Sequence, residues 1–256
     1  MKSLFWIILF LLGLSGVVIP MAYLYTASKL PPMESERDIE KQFKHSIEGE
    51  RMSFRARQYQ KNPRPFTFVR PDFSRLPKDL VALHIRHTGC PQYFQTPRED
   101  GLAWAWRLFA GVTVGAVPEG DGACERLLAM RIASTLGIEG LVRQTVAAHR
   151  LHSFMQKDQL IAYDMAIIYF ERGVVGVEDA AFTLFGREVG ELQLSELAEL
   201  QLAMPPFGFY GDLKLCRNPT ALRQNRDILL EDLAGWKLVS EDRARKAITE
   251  PVYCTR

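Results

Sequence analysis

Leu4 to Tyr25 is an unbroken apolar run with no charged side chain. At 1.5 Å per residue its 22 positions reach about 33 Å, which suits a bilayer core of ~30 Å. Lys2 precedes it, and Lys29, Glu34, Arg37 and Asp38 follow. The run reads as one uncleaved membrane helix. A cleaved signal peptide is the competing reading, with a small-residue site at Ala27-Ser28, but the apolar core of such a peptide is about 7–15 residues and this one is longer. After it the pattern changes. Pro31-Pro32 breaks any continuing helix, and a charged stretch from Glu34 to Arg57 carries few large apolar residues. Ile39, Phe43 and Ile47 recur there at helical spacing, so residues 29–65 are expected to form a charged stalk containing a solvated helix.

Beyond Asn62-Pro63-Arg64-Pro65 the signal is helical with little strand. Phe66 to Val69 is a short β-type run, and Pro71 to Pro77 is turn-rich. Helices are expected over Leu80–Ile85, Leu102–Leu108, Cys124–Leu136, Leu141–Phe154, Gln159–Phe170, Val177–Leu184, Ser195–Met204, Thr220–Ala234 and Ser240–Ala247. Ser240-Glu241-Asp242 has the form of an N-cap followed by first-turn acids. The glycine-rich stretch Val112–Ala123 reads as a loop. The class is mainly α, in one soluble domain.

Charge narrows the function. Lys and Arg number 32 against 30 Asp and Glu, for a net +2. No basic run is interleaved with aromatics, so nucleic acid is not an expected partner. The four cysteines, Cys90, Cys124, Cys216 and Cys254, form no CxxC and no zinc spacing. They read as isolated thiols, although a compartment outside the cytoplasm would permit disulfides.

An ordered series of short segments resembles glycosyltransferase family 51, the peptidoglycan transglycosylases. Lys157-Asp158-Gln159-Leu160-Ile161, then Tyr169-Phe170-Glu171-Arg172-Gly173-Val174-Val175-Gly176-Val177-Glu178-Asp179-Ala180-Ala181, then Leu184-Phe185-Gly186 are similar to the family's SKxxILExYLN…GveaAAxxYFG block. Glu191 to Ala198 is similar to its "eLslaEaA" helix. Met204-Pro205-Pro206, Arg217-Asn218-Pro219 and Arg223 to Leu229 resemble its C-terminal tail, and Phe68 to Ile85 resembles its lead-in. The resemblance covers roughly residues 66–250. It implies a lysozyme-like, mainly helical family 51 domain over 66–256, behind a cytoplasmic tip and single transmembrane anchor (1–28) and the stalk (29–65). The family's enzymes polymerise lipid II outside the cytoplasm. One glutamate activates the acceptor hydroxyl, and a second glutamate and basic residues handle the diphosphate, often with a divalent cation.

The scaffold segments are present where the chemical ones are altered. The first catalytic glutamate, aligned through Tyr93 and Asp100, falls at Gly89, and a shift of one residue gives Thr88 or Cys90. The second, aligned through Leu151 and Lys157, falls at Gln144, and a later one at His152. Gln144 keeps a glutamate's shape but cannot act as a base. The family's GxSTItqQ segment has become Gly122 to Ala129, and its YLN triplet Asp164-Met165-Ala166. Glu99 and Glu125 are the fallback acids. Gln144, Arg126, Arg131 and Arg143 are the candidate substrate contacts.

Four of the five histidines form two HxxH pairs, His84/His87 and His149/His152, each on one helix face. With Cys90 they are the candidate set for a transition metal. Three readings follow. The leading one is a non-catalytic family 51-like module in a bacterial inner membrane, its C-terminal domain in the periplasm, binding lipid II, glycan strand or other cell-wall synthesis proteins. The second is an active glycosyltransferase with rearranged acids, among them Glu99, Glu125 or Asp164. The third is a metal-binding envelope protein.

Overall fold

The structure is a computed structural model that describes residues 20–46, 72–90, 92–98, 123–170, 174–204, 210–211 and 215–255. Most of the apolar run, residues 47–71, Glu99, the expected helix at Leu102–Leu108 and the expected loop after it lie outside the described residues. Among the described residues no helix is long and apolar enough to cross a membrane.

The described chain is mainly helical. Residues 20–28 (α1) and 36–46 (α2) precede α3 (Lys78–His87), α4 (Ala123–Thr135), α5 (Leu141–Phe154), α6 (Lys157–Ile167), α7 (Gly176–Phe185), α8 (Leu194–Ala203), α9 (Pro219–Gly235) and α10 (Glu241–Thr249). Caps explain several boundaries. Asn218 accepts from the Ala221 amide at 3.0 Å with Pro219 at the first helical position of α9, and Ser240 caps α10 as its sequence suggested. The expected helix through Phe170 stops at Ile167. Ile168 is extended, and β1 (Tyr169–Phe170) pairs antiparallel with β2 (Val174–Val175) and parallel with β3 (Tyr210–Gly211). The run Ile167-Ile168-Tyr169-Phe170 is β-branched and aromatic, and cross-strand pairing overrides its helical spacing.

Two apolar clusters hold the helices. One gathers α3, α7, α8, α9 and α10 around Leu80, Leu83, Ala198, Leu200, Leu230 and Leu233. The other gathers α1, α2, α4, α5 and α6 around Ile39, Phe43, Ile132, Leu151, Leu160 and Tyr163. The segment read as a stalk therefore contributes core. Ile39 and Phe43 are fully buried, Gln159 Nε2 donates to Glu36 Oε1 at 2.7 Å, and Ser46 Oγ donates to the Thr135 carbonyl at 3.0 Å. Their four-residue spacing, read as a solvated helix, is the stripe by which α2 packs on the domain.

Helix α8 is buried at nine of its ten positions, charged ones included. Glu199 pairs with fully buried Arg226 of α9 at 3.2 Å, and Arg226 also donates to Asp227 and to the Ile248 carbonyl of α10. Arg226 is thus a strut between three helices. Glu196 caps the start of α8 by accepting from the Gln193 amide at 3.0 Å and pairs with Arg187. The cysteines are not isolated thiols. Cys90 is bonded to Cys124 and Cys216 to Cys254, each across more than thirty residues. In the chain-entropy account each such closure stabilises by on the order of 4 kcal/mol.

Gly176 makes the sharpest backbone demand. Its φ is +80°, and a Cβ there would lie 2.6 Å from the Ala166 carbonyl oxygen at the end of α6. Gly186 is also left-handed, at φ +69°, but has open space around it. Gly186→Ala is expected to cost only the backbone strain, about 1–2 kcal/mol, and Gly176→Ala clearly more, in denaturant unfolding at constant slope. Equal costs would show that the close approach of α6 and α7 is not tight.

Candidate functional site

Two buried charge clusters lie among α3, α4, α5 and α6. The first is built on Asp164, in the middle of α6 with no solvent exposure. Arg131 of α4 clamps it with both arms, its Nε donating to Oδ1 at 2.5 Å and its terminal nitrogen to Oδ2. His84 of α3 completes the group, with Nε2 2.9 Å from Asp164 Oδ2 and 3.2 Å from the Arg131 guanidinium. Burial pulls Arg131 down to about 10. Burial, then the Arg131 charge, pushes His84 down to about 3, against an opposing pull from Gln201 of α8. His87, one turn on, is held at about 4 by burial and then by the charges of His84, Arg131 and Arg86. Both imidazoles are therefore neutral at ordinary pH, and Arg131 is the cation that balances Asp164.

The second cluster centres on Glu125, 1% exposed in the first turn of α4. His152 Nε2 of α5 lies 2.9 Å from one carboxylate oxygen, and Lys157 Nζ, at the start of α6, lies 3.1 Å from the other. Burial alone would raise the Glu125 carboxyl, but the pull of His152 and Lys157 outweighs it and holds the group below its ordinary value. Lys157 also donates to the carbonyls of Tyr93 at 2.5 Å and Thr96 at 2.6 Å, while the Tyr93 hydroxyl donates back to the Lys157 carbonyl at 3.0 Å. The Cys90–Cys124 bridge ties the end of α3 to the residue before Glu125. The 92–98 turn, α4 and α6 are thus fastened around one carboxylate.

Residues 128–234 match the protein-family model described as Transglycosylase. This part of the chain is a transglycosylase-like domain. The chain is 25% identical to penicillin-binding protein 1A of Haemophilus influenzae over 61% of its own length and 18% of that protein's. It is 20% identical to penicillin-binding protein 1A of Pseudomonas aeruginosa over 98% of its own length and 30% of that protein's. A Rickettsia conorii penicillin-binding protein 1A is 23% identical over 47% of this chain and 15% of that protein. The chain spans less than a third of the length of these relatives.

The two positions that the sequence resemblance aligns with family glutamates, Gly89 before the matched segment and Gln144 within it, serve the backbone. Gly89 has φ +73° and ends α3, with its own amide donating to the Arg86 carbonyl and the Cys90 amide to Ile85. That left-handed C-terminal position favours glycine. Gln144 Nε2 donates to the Ile138 carbonyl at 2.9 Å and to Ser134 Oγ at 3.2 Å. It turns back onto the α4–α5 connection. Of the candidate substrate contacts, Arg131 is committed to Asp164, Arg126 is buried and Arg143 is exposed at the start of α5.

The proposed metal donors do not come together. Cys90 has no free thiolate, His84 is tied to Asp164, His152 to Glu125, and His149 Nδ1 is hydrogen-bonded to the Tyr23 hydroxyl at 2.7 Å. Among the described residues no three His, Cys, Asp or Glu side chains form a group able to hold a metal ion. The i, i+3 spacing is real, but His84, His149 and His152 each commit one ring nitrogen to a different neighbouring helix. Asp164 carried a readable sign, a lone acid within apolar Leu160 to Ile167, which calls for a buried partner. No local spacing points to Arg131, 33 residues earlier.

Protonation of buried neutral imidazoles makes stability depend on pH. His84 and His87 have folded-state values far below the ordinary 6.5, and burial, then His152, moves His149 the same way. As pH falls below about 6.5 the unfolded chain binds protons that the folded chain does not, so stability present above that pH is lost towards pH 4. The slope reaches at most about 1.4 kcal/mol per pH unit for each group. His87→Asn should flatten urea-unfolding free energies between pH 6.5 and 4.5. An unchanged slope would exclude His87 as a contributor.

Proposed function

We propose that this domain is a non-catalytic family 51 module, anchored in a bacterial inner membrane and facing the periplasm. It acts as a scaffold or as a binder of lipid-linked glycan in cell-wall assembly. One observation carries the reading: the acids near the family's chemical positions are consumed by the fold. Gly89 caps a helix, Gln144 braces a turn, and Asp164 and Glu125 are both buried against cations. A carboxylate that is solvent-shielded, paired and held below its ordinary pKa is a weak base. Loss of a positioned general base alone costs about 10²–10⁴ in rate. Placement outside the cytoplasm is supported by the apolar run Leu4–Tyr25 and by two disulfides, which persist in oxidising compartments.

A second reading, an active lipid II polymerase using Glu125, has one observation in its favour. Glu125 is held as a carboxylate beside His152. Polymerisation of lipid II by the full-length protein in detergent, beside an active family member, separates the two. The non-catalytic reading predicts no polymer under conditions where the control makes long strands. Polymer that disappears in Glu125→Gln, with the variant still folded, would establish the second reading.

A further inference from the structure

Helix α8 carries a buried amide that the fold leaves unanswered. Gln201 has no solvent exposure, and neither its amide nitrogen nor its amide oxygen has a hydrogen-bond partner. Two further orphaned atoms belong to α3: Nδ1 of buried His84 and Nε2 of His87. The three residues share one seam. The Gln201 amide is near enough to His84 to draw on its proton, and the carbonyl of Met204, which ends α8, draws on His87 in the same way. Gln201 and Met204 are three residues apart, as are His84 and His87, so the two helices meet there in matching steps. A buried polar atom without a partner is costly, and native folds contain few of them. Four such atoms in one seam point to a shared ligand.

The chemistry of the four atoms defines that ligand. Asp164 Oδ2 lies 2.9 Å from His84 Nε2, so the carboxylate holds the ring proton on that nitrogen and leaves Nδ1 as a lone pair. The Met204 carbonyl holds the His87 proton away from unpartnered Nε2 by the same rule. Gln201 brings two N–H donors and one acceptor oxygen. The ligand therefore has to donate to imidazole lone pairs and accept from an amide. An anion cannot donate. A metal ion could take the lone pairs, and a carboxylate behind an imidazole is the support a metal ligand uses. Charge speaks against it. Arg131 already balances Asp164 and lies 3.2 Å from His84 Nε2, so a dication would add two charges that none of these side chains offsets. Water is neutral, donates twice, accepts as well, and when buried makes about three hydrogen bonds.

We propose that the seam between α3 and α8 is a binding site for an ordered water molecule, held by His84 Nδ1, His87 Nε2 and the Gln201 amide. The water extends the buried polar network from Asp164 through His84 into α8. It gives α8 a polar registration on α3, which the apolar contacts around Leu83, Ala198 and Leu200 do not supply. The site stands whether or not the domain is catalytic.

The test is a crystal structure of the full chain in detergent, at a resolution that shows ordered solvent and with anomalous data at the zinc edge. It is paired with urea unfolding of the parent and of Gln201→Leu, a replacement close in volume. The proposal predicts a solvent peak without anomalous signal at hydrogen-bond distance from His84 Nδ1, His87 Nε2 and the Gln201 amide. It also predicts a lower unfolding midpoint for Gln201→Leu, at constant slope, because the water loses a partner and the two imidazoles lose their bridge. Direct bonding of Gln201 to His84 with no solvent peak overturns the proposal. An anomalous peak on the imidazoles overturns it in favour of a metal site. A Gln201→Leu midpoint equal to or above that of the parent also overturns it, because removing an amide from a dry seam relieves a cost.

Discussion

Asp164 has no solvent, so the domain has to supply its counter-charge, and that requirement fixes three helices at once. Arg131 reaches it from α4 with two arms and His84 from α3, while Asp164 itself lies on α6, which belongs to the second core and touches the first. A buried carboxylate left without its partner costs about 3–5 kcal/mol, a large share of the 5–15 kcal/mol that holds a typical domain together. The net worth of the pair against an apolar replacement is far smaller, because both charges were first taken out of water. The pair therefore acts chiefly as a registration device: α3, α4 and α6 have to meet where the three side chains meet.

The same logic repeats around Glu125, with a disulfide added. His152 and Lys157 come from the end of α5 and the start of α6, and the Cys90–Cys124 bridge brings α3 to the same corner. Glu125 is one of the two fallback acids that the sequence resemblance left as candidates. The polar groups around it point at one another. A site that satisfies its own charges leaves no free base, and that is the physical basis of the proposed non-catalytic reading.

Much of the fold was legible in the sequence. Helical spacing located α5 to the residue and placed α3, α4 and α7 to α10 within two or three residues at each end, because apolar periodicity and caps are local signals. The end of α6 was not legible, since the Ile167–Phe170 run serves either period and only its pairing with Val174–Val175 decides. The packing of α2 was hidden because two fully buried residues, Ile39 and Phe43, are embedded in a strongly charged segment. The site was legible mainly as a set of losses. Gly89 and Gln144 could be named in advance, but their roles as a helix cap and a turn brace depend on backbone geometry. The pairings Arg131–Asp164, Glu125–Lys157 and the two disulfides join residues 32 to 38 positions apart, a distance over which no spacing rule operates.

The central claim is that the acids of this domain hold the fold, and a double-mutant cycle on Arg131 and Asp164 tests it most directly. Unfolding free energies are measured for the parent, Arg131→Met, Asp164→Leu and the double variant. The account predicts a loss of about 3–5 kcal/mol for Arg131→Met, which strands a buried carboxylate, with much of it recovered in the double variant. Additive losses, or an Arg131→Met variant as stable as the parent, would contradict it, because Asp164 would then not need Arg131 and would be available for chemistry.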